Sequence, residues 1–381
     1  MNPYIHSIQC IIPPHMHKNI VDNGTDEQRQ KAMNSIVSAE RLRAQRAVMA
    51  QMTALVRTVA VEEKQRQVFN ANHGSSLPGT LVRAEGAPPT GDPATDEAYD
   101  GSGATYDLYK DIYERNSIDD NGMRLDSTVH YRVGYDNAFW DGQQMVYGDG
   151  DEDLPESQRL FNRFTISLDI IGHELTHGVT QFEANLVYRD QPGALNESFS
   201  DVFGSLVKQY QRNQTAAQAD WIIGEGLFTP NVNGFGIRSM KAPGTAYNDP
   251  VLGKDPQPAH MSDYQDIDYD NGGVHINSGI PNHAFYATAM EMGGYAWEKA
   301  GRIWYITLRD RLTSTSVFNV AAQQTYLVAG ELYGSGSLEQ LAVKAGWQAV
   351  GIQVDEGDGN GDGNGNGEGC PAALLKFFSG K

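Results

Sequence analysis

Residues 173–177 read His-Glu-Leu-Thr-His, within the longer run NRFTISLDIIGHELTHGVTQF (162–182). Apolar residues at Phe164, Ile166, Leu168, Ile170, Ile171, Leu175 and Val179, with no proline among them, predict a buried helix. Residues four apart share a helix face, so His173 and His177 can bind one metal ion. Glu174 stands beside them, placed to take a proton from metal-bound water. Two neutral imidazoles, a carboxylate and an open water position suit zinc, which brings the pKa of that water toward neutrality. The competing reading is a pair of hydrogen-bonded histidines on a buried helix.

A third ligand decides between them. A continuation H-x-x-G-x-x-H is excluded, because Thr180 and Glu183 fill the glycine and last histidine positions. Downstream, PGALNESFSDVFGSLV (192–207) carries Glu197 and Asp201 four apart on one face of an otherwise apolar helix. Buried acids need partners. One of these carboxylates can bind the metal while the other accepts an N–H from a ligating histidine and fixes its tautomer. The spacing does not say which does which.

The chain around this pair has 381 residues, 40 % apolar and 20 % charged, enough for two domains with a substantial core. No run approaches the length of a membrane span. A formal charge of −19 argues against nucleic acid or acidic lipid as a partner. Two cysteines, Cys10 and Cys370, make no disulfide framework. Short strands are expected at 67–71 and 80–84 and a helix from Glu97 to Glu114. The stretches 127–135 and 143–148 alternate like antiparallel strands. Residues 224–282 are rich in Gly, Pro and Asn and read as loop, with at least three helices from there to residue 350. The last of these opens on the capping-box spacing Ser337 to Gln340.

HELTHGVTQ, ALNESFSDVFG and DNGGVHINSG, in that order, resemble the thermolysin-type zinc endopeptidases, as do YDNAFWDGQQMVYGDGD and GIRSM. The likeness covers about residues 67–350 and implies an α+β fold of two lobes, the first β-rich and the second helical, with the zinc helix between them. It implies zinc on His173, His177 and Glu197, Glu174 as general base, and Asp201 orienting His173. Tyr188 and His275 would stabilise the oxyanion, with Asp270 holding His275. Arg238 would bind a substrate carbonyl, and Asn137 with the backbone of Ala138 would dock the substrate chain. Phe161, Phe164, Ile170 and Ile237 match the pocket for the residue after the cleaved bond. All four are apolar, so cleavage is expected on the amino side of large hydrophobic residues. A zinc aminopeptidase is the enzyme alternative, but ATAMEMGG lacks the asparagine of the usual exopeptidase motif. A catalytically silent zinc module is the other, and the presence of Glu174 and His275 speaks against it.

The sequence departs from the family at its calcium pair. Asp169, Asp220 and Glu225 match ligand positions, while Lys208 and Ile222 replace two acids. An ammonium takes the same carboxylates as a cation, so Lys208 is expected to stand in for calcium by pairing with Asp169, Asp220 or Glu225. In the tail, Asp358, Asn360, Asp362 and Gly363 open like an EF-hand loop, but position 12 is Gly369, so the tract reads as linker.

The N-terminus reads CIIPPHMH (10–17), followed by Thr25 and Gln28 at capping-box spacing. Met33, Ile36, Val37, Ala44, Val48 and Met52 then follow a loosely helical period. This helix has too little apolar surface to fold alone. The segment resembles the short propeptides of the protealysin-like branch of the family, which implies obstruction of the cleft by the Pro13-Pro14 turn. Cys10, His15 and His17 are candidate contacts to the zinc. The expected divisions are a propeptide-like segment (1–54), an N-terminal catalytic lobe with the zinc helix (55–186), a helical lobe (187–353), and a linker with a short apolar tail (354–381). No signal of the basic-then-apolar type is visible in the first 30 residues, so secretion by a non-classical route, or a cytoplasmic location, is expected.

Overall fold

A computed structural model describes residues 9–49 and 63–355, with backbone alone for 9 and 39–49. The tail motif, Cys370 and Met52 lie outside the described residues, as do the side chains of Ala44 and Val48. The first lobe is built on a six-stranded sheet: β1 (Gln9–Cys10), β2 (Arg66–Asn70), β3 (Thr80–Ala84), β4 (Leu125–Val129), β5 (Ala138–Trp140) and β6 (Met145–Tyr147), ordered β1-β5-β6-β4-β2-β3. The helices are α1 (Pro14–Asn23), α2 (Asp26–Met49), α3 (Pro93–Asp107), α4 (Leu168–Phe182), α5 (Asp190–Gln211), α6 (Asp270–Asn277), α7 (Gly279–Met292), α8 (Ala300–Asp310), α9 (Phe318–Tyr333) and α10 (Leu338–Ala349). The fold is the expected α+β arrangement, with α4 between the sheet and the helical lobe.

Several local expectations change. β4 and β6 run parallel, with Ser127 opposite Met145, not antiparallel. The reversal belongs to β5, inside the stretch read as a connection, which forms the antiparallel hairpin with β6. The predicted 162–182 helix starts at Leu168. Phe164–Ile166 before it form a 3₁₀ turn whose Phe164 is buried without being α-helical. The glycine-rich stretch contains α6 and the start of α7. The first capping box forms, with Thr25 N–H donating to Gln28 Oε1 (2.8 Å) and Gln28 N–H to Thr25 Oγ1 (3.3 Å); the second forms by half, since Gln340 N–H donates to Ser337 Oγ (3.2 Å) but Gln340 Oε1 accepts from Gly336 N–H (2.8 Å) in place of Ser337.

The N-terminal segment is integrated into the body. β1 forms the edge of the sheet against β5, and Ile11, Ile12, Met16 and Ile20 are buried in the main core. The face of α2 that docks is not the apolar one. Met33 and Val37 are exposed, whereas Gln28, Lys31, Ala32, Ser35 and Ser38 are buried. The surface they meet is polar: Gln28 Nε2 donates to the Gln158 carbonyl (2.7 Å), and Ser35 Oγ accepts from Asp136 N–H (3.3 Å).

α4 and α5 carry the chemistry, and glycine lets them approach. A Cβ at Gly204 would sit 2.4 Å from the Asp169 carbonyl oxygen and 2.9 Å from His173 N. Only a residue without a side chain permits this crossing, which brings the acidic face of α5 against the histidine face of α4.

Candidate metal centre and cleft

His173, His177 and Glu197 converge with one ligand atom each, all mutually within 4.8 Å and all buried. His173 Nε2 lies 3.6 Å from Glu197 Oε2, and His177 Nε2 lies 3.5 Å from Glu197 Oε1. His173 Nε2 and Glu197 Oε2 have no hydrogen-bond partner among the described residues. Leaving such atoms buried and unmet costs free energy, and a zinc ion satisfies both. The donor set therefore fits zinc.

The opposite edge of each ring is held. His173 Nδ1 lies 2.8 Å from Asp201 Oδ1, and His177 Nδ1 lies 2.8 Å from Asn196 Oδ1 and 2.9 Å from Ser200 Oγ. With Nδ1 as the donor to these oxygens, each Nε2 lone pair points at the centre. Asn196 and Ser200 were not singled out from sequence, though they flank Glu197 on the same face of α5. Asp201 is itself gripped by Arg238, whose Nε and Nη2 each donate at 2.7 Å. Burial pushes the Asp201 carboxyl up, but Arg238 and His173 outweigh it and hold the group well below the usual carboxylate range.

Glu174 is fully buried beside the ligands, and its Oε2 accepts from Trp140 N–H at 3.0 Å. The tip of β5 thus orients this carboxylate. Tyr188 donates its hydroxyl to Glu197 Oε1 and lies 3.2 Å from His275 Nε2. His275 Nδ1 is 2.6 Å from Asp270 Oδ1. Burial lowers the His275 imidazole, but Asp270 and Glu197 prevail and raise it to about 9. Phe161, Phe164, Ile170 and Ile237 are all buried in the core, with the Phe161 and Phe164 ring centroids 6.1 Å apart.

The cleft beside these groups is filled by the chain's own residues 10–12. Ile11 N–H donates to the Ala138 carbonyl (3.3 Å) and Ile12 N–H to Asn137 Oδ1 (3.0 Å). The Ile11 carbonyl accepts from Arg238 Nη1 (3.3 Å), and the Cys10 carbonyl lies 3.0 Å from His275 Nε2. These four contacts are made by main-chain atoms of residues 10–12. The Cys10 side chain packs against Tyr131, Tyr135, Phe139 and Val146. His15 Nε2 reaches Tyr247 Oη (2.9 Å), and His17 Nε2 the Asp136 carbonyl (3.2 Å). None of the three belongs to the ligand cluster. Pro13 caps α1 and Pro14 is its first residue, and the residues that contact the cleft groups are the extended stretch 10–12 just before them.

Lys208, almost fully buried, contacts all three expected acids: Asp169 Oδ2 at 2.8 Å, Asp220 Oδ1 at 2.8 Å and Glu225 Oε2 at 3.8 Å. It also donates to the Ile222 carbonyl at 2.7 Å. Burial lowers the ammonium's pKa, but the carboxylates outweigh it and the net shift is upward.

A helix pair that offers two imidazoles and a carboxylate to one cation, with a further carboxylate held alongside by a strand, is the framework of a zinc metalloendopeptidase. The chain's sequence matches the thermolysin metallopeptidase catalytic domain over residues 32–181 and the thermolysin metallopeptidase alpha-helical domain over 184–352. The chain belongs to the thermolysin metallopeptidase family. It is 48 % identical over 348 residues to an extracellular metalloprotease of Pectobacterium carotovorum subsp. carotovorum, covering 91 % of this chain and 97 % of that one. It is 41 % identical over 293 residues to a bacillolysin of Bacillus cereus, covering 74 % of this chain and 48 % of that one. The solved precursor of protealysin, a metalloproteinase from Serratia proteamaculans, is 48 % identical with a TM-score of 0.81, covering 90 % of this chain and 99 % of that structure.

Proposed function

We propose that the chain is the precursor of an endopeptidase that cuts on the amino side of large hydrophobic residues and removes its own N-terminal segment. The observation carrying this reading is the strand of residues 10–12. It pairs antiparallel with β5 and gives its carbonyls to His275 and Arg238, as an extended substrate would. The proposed divisions remain a propeptide up to about residue 54, lobes at 55–186 and 187–353, and an appended tail.

His173, His177 and Glu197 would hold the zinc, whose chemistry when bound would be to acidify water and polarise a carbonyl. Asn137 and Ala138 align the substrate strand, and Arg238 takes a substrate carbonyl while fixing Asp201. Glu174, aimed by Trp140 N–H, receives the proton of the attacking water and hands it to the leaving nitrogen. Tyr188 and His275 donate to the oxyanion as it forms, and Asp270 keeps the His275 ring in place. Phe161, Phe164, Ile170 and Ile237 give the next side chain an apolar wall with no partner for a charge. Lys208 replaces calcium beneath α4. The extracellular designation of the Pectobacterium relative supports secretion of this chain; among the described residues no helix is long and apolar enough to cross a membrane.

The test is digestion of N-terminally blocked, internally quenched peptides varied at the residue after the cut. Cleavage before Leu, Phe, Ile or Val, absent in Glu174→Ala, is expected. A preference for Asp or Lys there overturns the specificity, and failure to cut blocked peptides while free-amine peptides are trimmed favours an aminopeptidase.

A further inference from the structure

A second group of ligand-type side chains lies outside the cleft and plays no part in the chemistry above. His73, His130 and Asp149 bring one ligand atom each within 4.8 Å of one another. His130 Nδ1 is 3.0 Å from both Asp149 carboxylate oxygens, and His73 Nδ1 is 3.5 Å from Asp149 Oδ2. Parallel pairing is what gathers them. β2, β4 and β6 run the same way, so their C-terminal ends share one end of the sheet, and the three residues follow those ends closely. The turn after β2 delivers His73. Gly74 N–H donates to the Ala71 carbonyl (2.8 Å), and the two residues between, Asn72 and His73, have φ of +51° and +57°. In a turn of this hand Asn-Gly is the favoured central pair, so an imidazole stands here where glycine fits best. His73 N–H donates to the His130 carbonyl (2.9 Å) and clamps the turn to the end of β4, with the two ring centroids 5.6 Å apart.

The far edge of the His130 ring is already engaged. Its Nε2 donates to Asp92 Oδ2 (2.9 Å), a carboxylate oxygen that also accepts from Thr95 Oγ1 (2.6 Å). Nδ1 therefore turns a lone pair on Asp149 unless a proton or a metal ion binds both. A proton accounts for His130 between its two carboxylates, but gives no reason for a second imidazole at Asp149. A metal ion uses all three groups. Tetrahedral zinc, with bonds of about 2.0–2.1 Å, holds its ligand atoms roughly 3.3 Å apart. The separations of 3.0 and 3.5 Å at Asp149 bracket that spacing. Two imidazoles and one carboxylate, with Asp92 orienting one ring from behind, are a donor set for zinc and not for calcium.

We propose that His73, His130 and Asp149 form a second zinc site, which ties the ends of β2, β4 and β6 together. The ion takes the place of the proton at His130 Nδ1, which leaves to solvent. The His73 side chain is exposed, so an ion reaches the site from solvent in the full-length chain. Untagged, full-length Glu174→Ala protein is dialysed against micromolar zinc, then analysed for zinc per chain and for melting temperature. This parent is expected to hold two zinc ions and to melt higher with two equivalents than with one. His73→Asn, in which the new residue tolerates the positive φ, and Asp149→Asn are each expected to hold one ion and to gain nothing from the second equivalent. One zinc in the parent, or two in the folded variants, overturns the proposal. Should Asp149→Asn fail to fold, His73→Asn, at an exposed position, decides alone. Adding His177→Ala to the parent should remove the cleft ion and leave this one, so failures of the two sites are read separately.

Discussion

Replacing Lys208 with methionine isolates the ammonium's role, because the stem is conserved and only the charge is lost. The ammonium's partner Asp169 is fully buried, whereas Asp220 and Glu225 are partly exposed, with side chains 30 % and 43 % accessible. Exposed pairs contribute about 0–1 kcal/mol each, so most of the effect falls on Asp169. Breaking a buried pair and stranding one charge costs roughly 3–5 kcal/mol. At about 2–4 °C per kcal/mol for a domain of this size, the melting temperature should fall by roughly 6–20 °C. Asp169 has some relief: its Oδ1 accepts from Ser167 Oγ (2.9 Å) and Gly224 N–H (2.8 Å), which favours the lower half of that range. The assay is scanning calorimetry on full-length, zinc-loaded Glu174→Ala protein, in which Lys31 stays paired with Asp151 and Asp153. Millimolar calcium should recover part of the loss in Lys208→Met, because Asp169, Asp220, Glu225 and the Ile222 carbonyl are oxygen donors, and should leave the parent unchanged. A variant melting within about a degree of its parent would refute the idea that Lys208 replaces a structural cation.

Two further outcomes follow from the geometry. Gly204→Ala places a methyl 2.4 Å from the Asp169 carbonyl and must spread α4 from α5, costing about 1–3 kcal/mol; zinc content after dialysis should drop with it, and full zinc retention would contradict the account of the helix crossing. His130 donates to Asp149 (3.0 Å) and Asp92 (2.9 Å); its hydrogen bond to Asp149, with that to Asp92, raises the imidazole to about 9 against the cost of burial. A raised folded-state pKa stabilises the protein fully below the ordinary value of 6.5 and loses that contribution as pH rises through about 9. Melting temperature against pH should therefore fall between those limits in the wild type and fall less in His130→Asn, whereas parallel curves would rule out this linkage.

The centre was legible because its groups are ionisable and spaced by helix geometry. His173 and His177 four apart, then Glu197 and Asp201 four apart, specify two faces that need only meet. Asn196 and Ser200 were not legible, since a neutral amide and a hydroxyl carry no such signature and their role arises only where α5 crosses α4. The direction of strand pairing was hidden for a related reason. Alternation marks 127–135 and 143–148 as strands, but it is the three-residue β5 between β4 and β6 that makes those two parallel. At the N-terminus the apolar period of α2 pointed to the wrong face, because the surface that α2 covers offers carboxylates and carbonyls. CIIPPHMH misled through its side chains. What hydrogen-bonds to Ala138, Asn137, Arg238 and His275 is backbone, while Cys10 packs in an apolar cluster and His15 and His17 reach Tyr247 and Asp136.

The central claim is that a zinc peptidase is held shut by its own residues 10–12 and opens itself. The most direct measurement is intact mass over time for the wild type and Glu174→Ala, expressed identically. The account predicts that only the wild type shortens, by about 50 N-terminal residues, while Glu174→Ala stays full length with the cleft occupied. Shortening of both proteins alike, or a wild type that cleaves peptides while remaining full length, would contradict it.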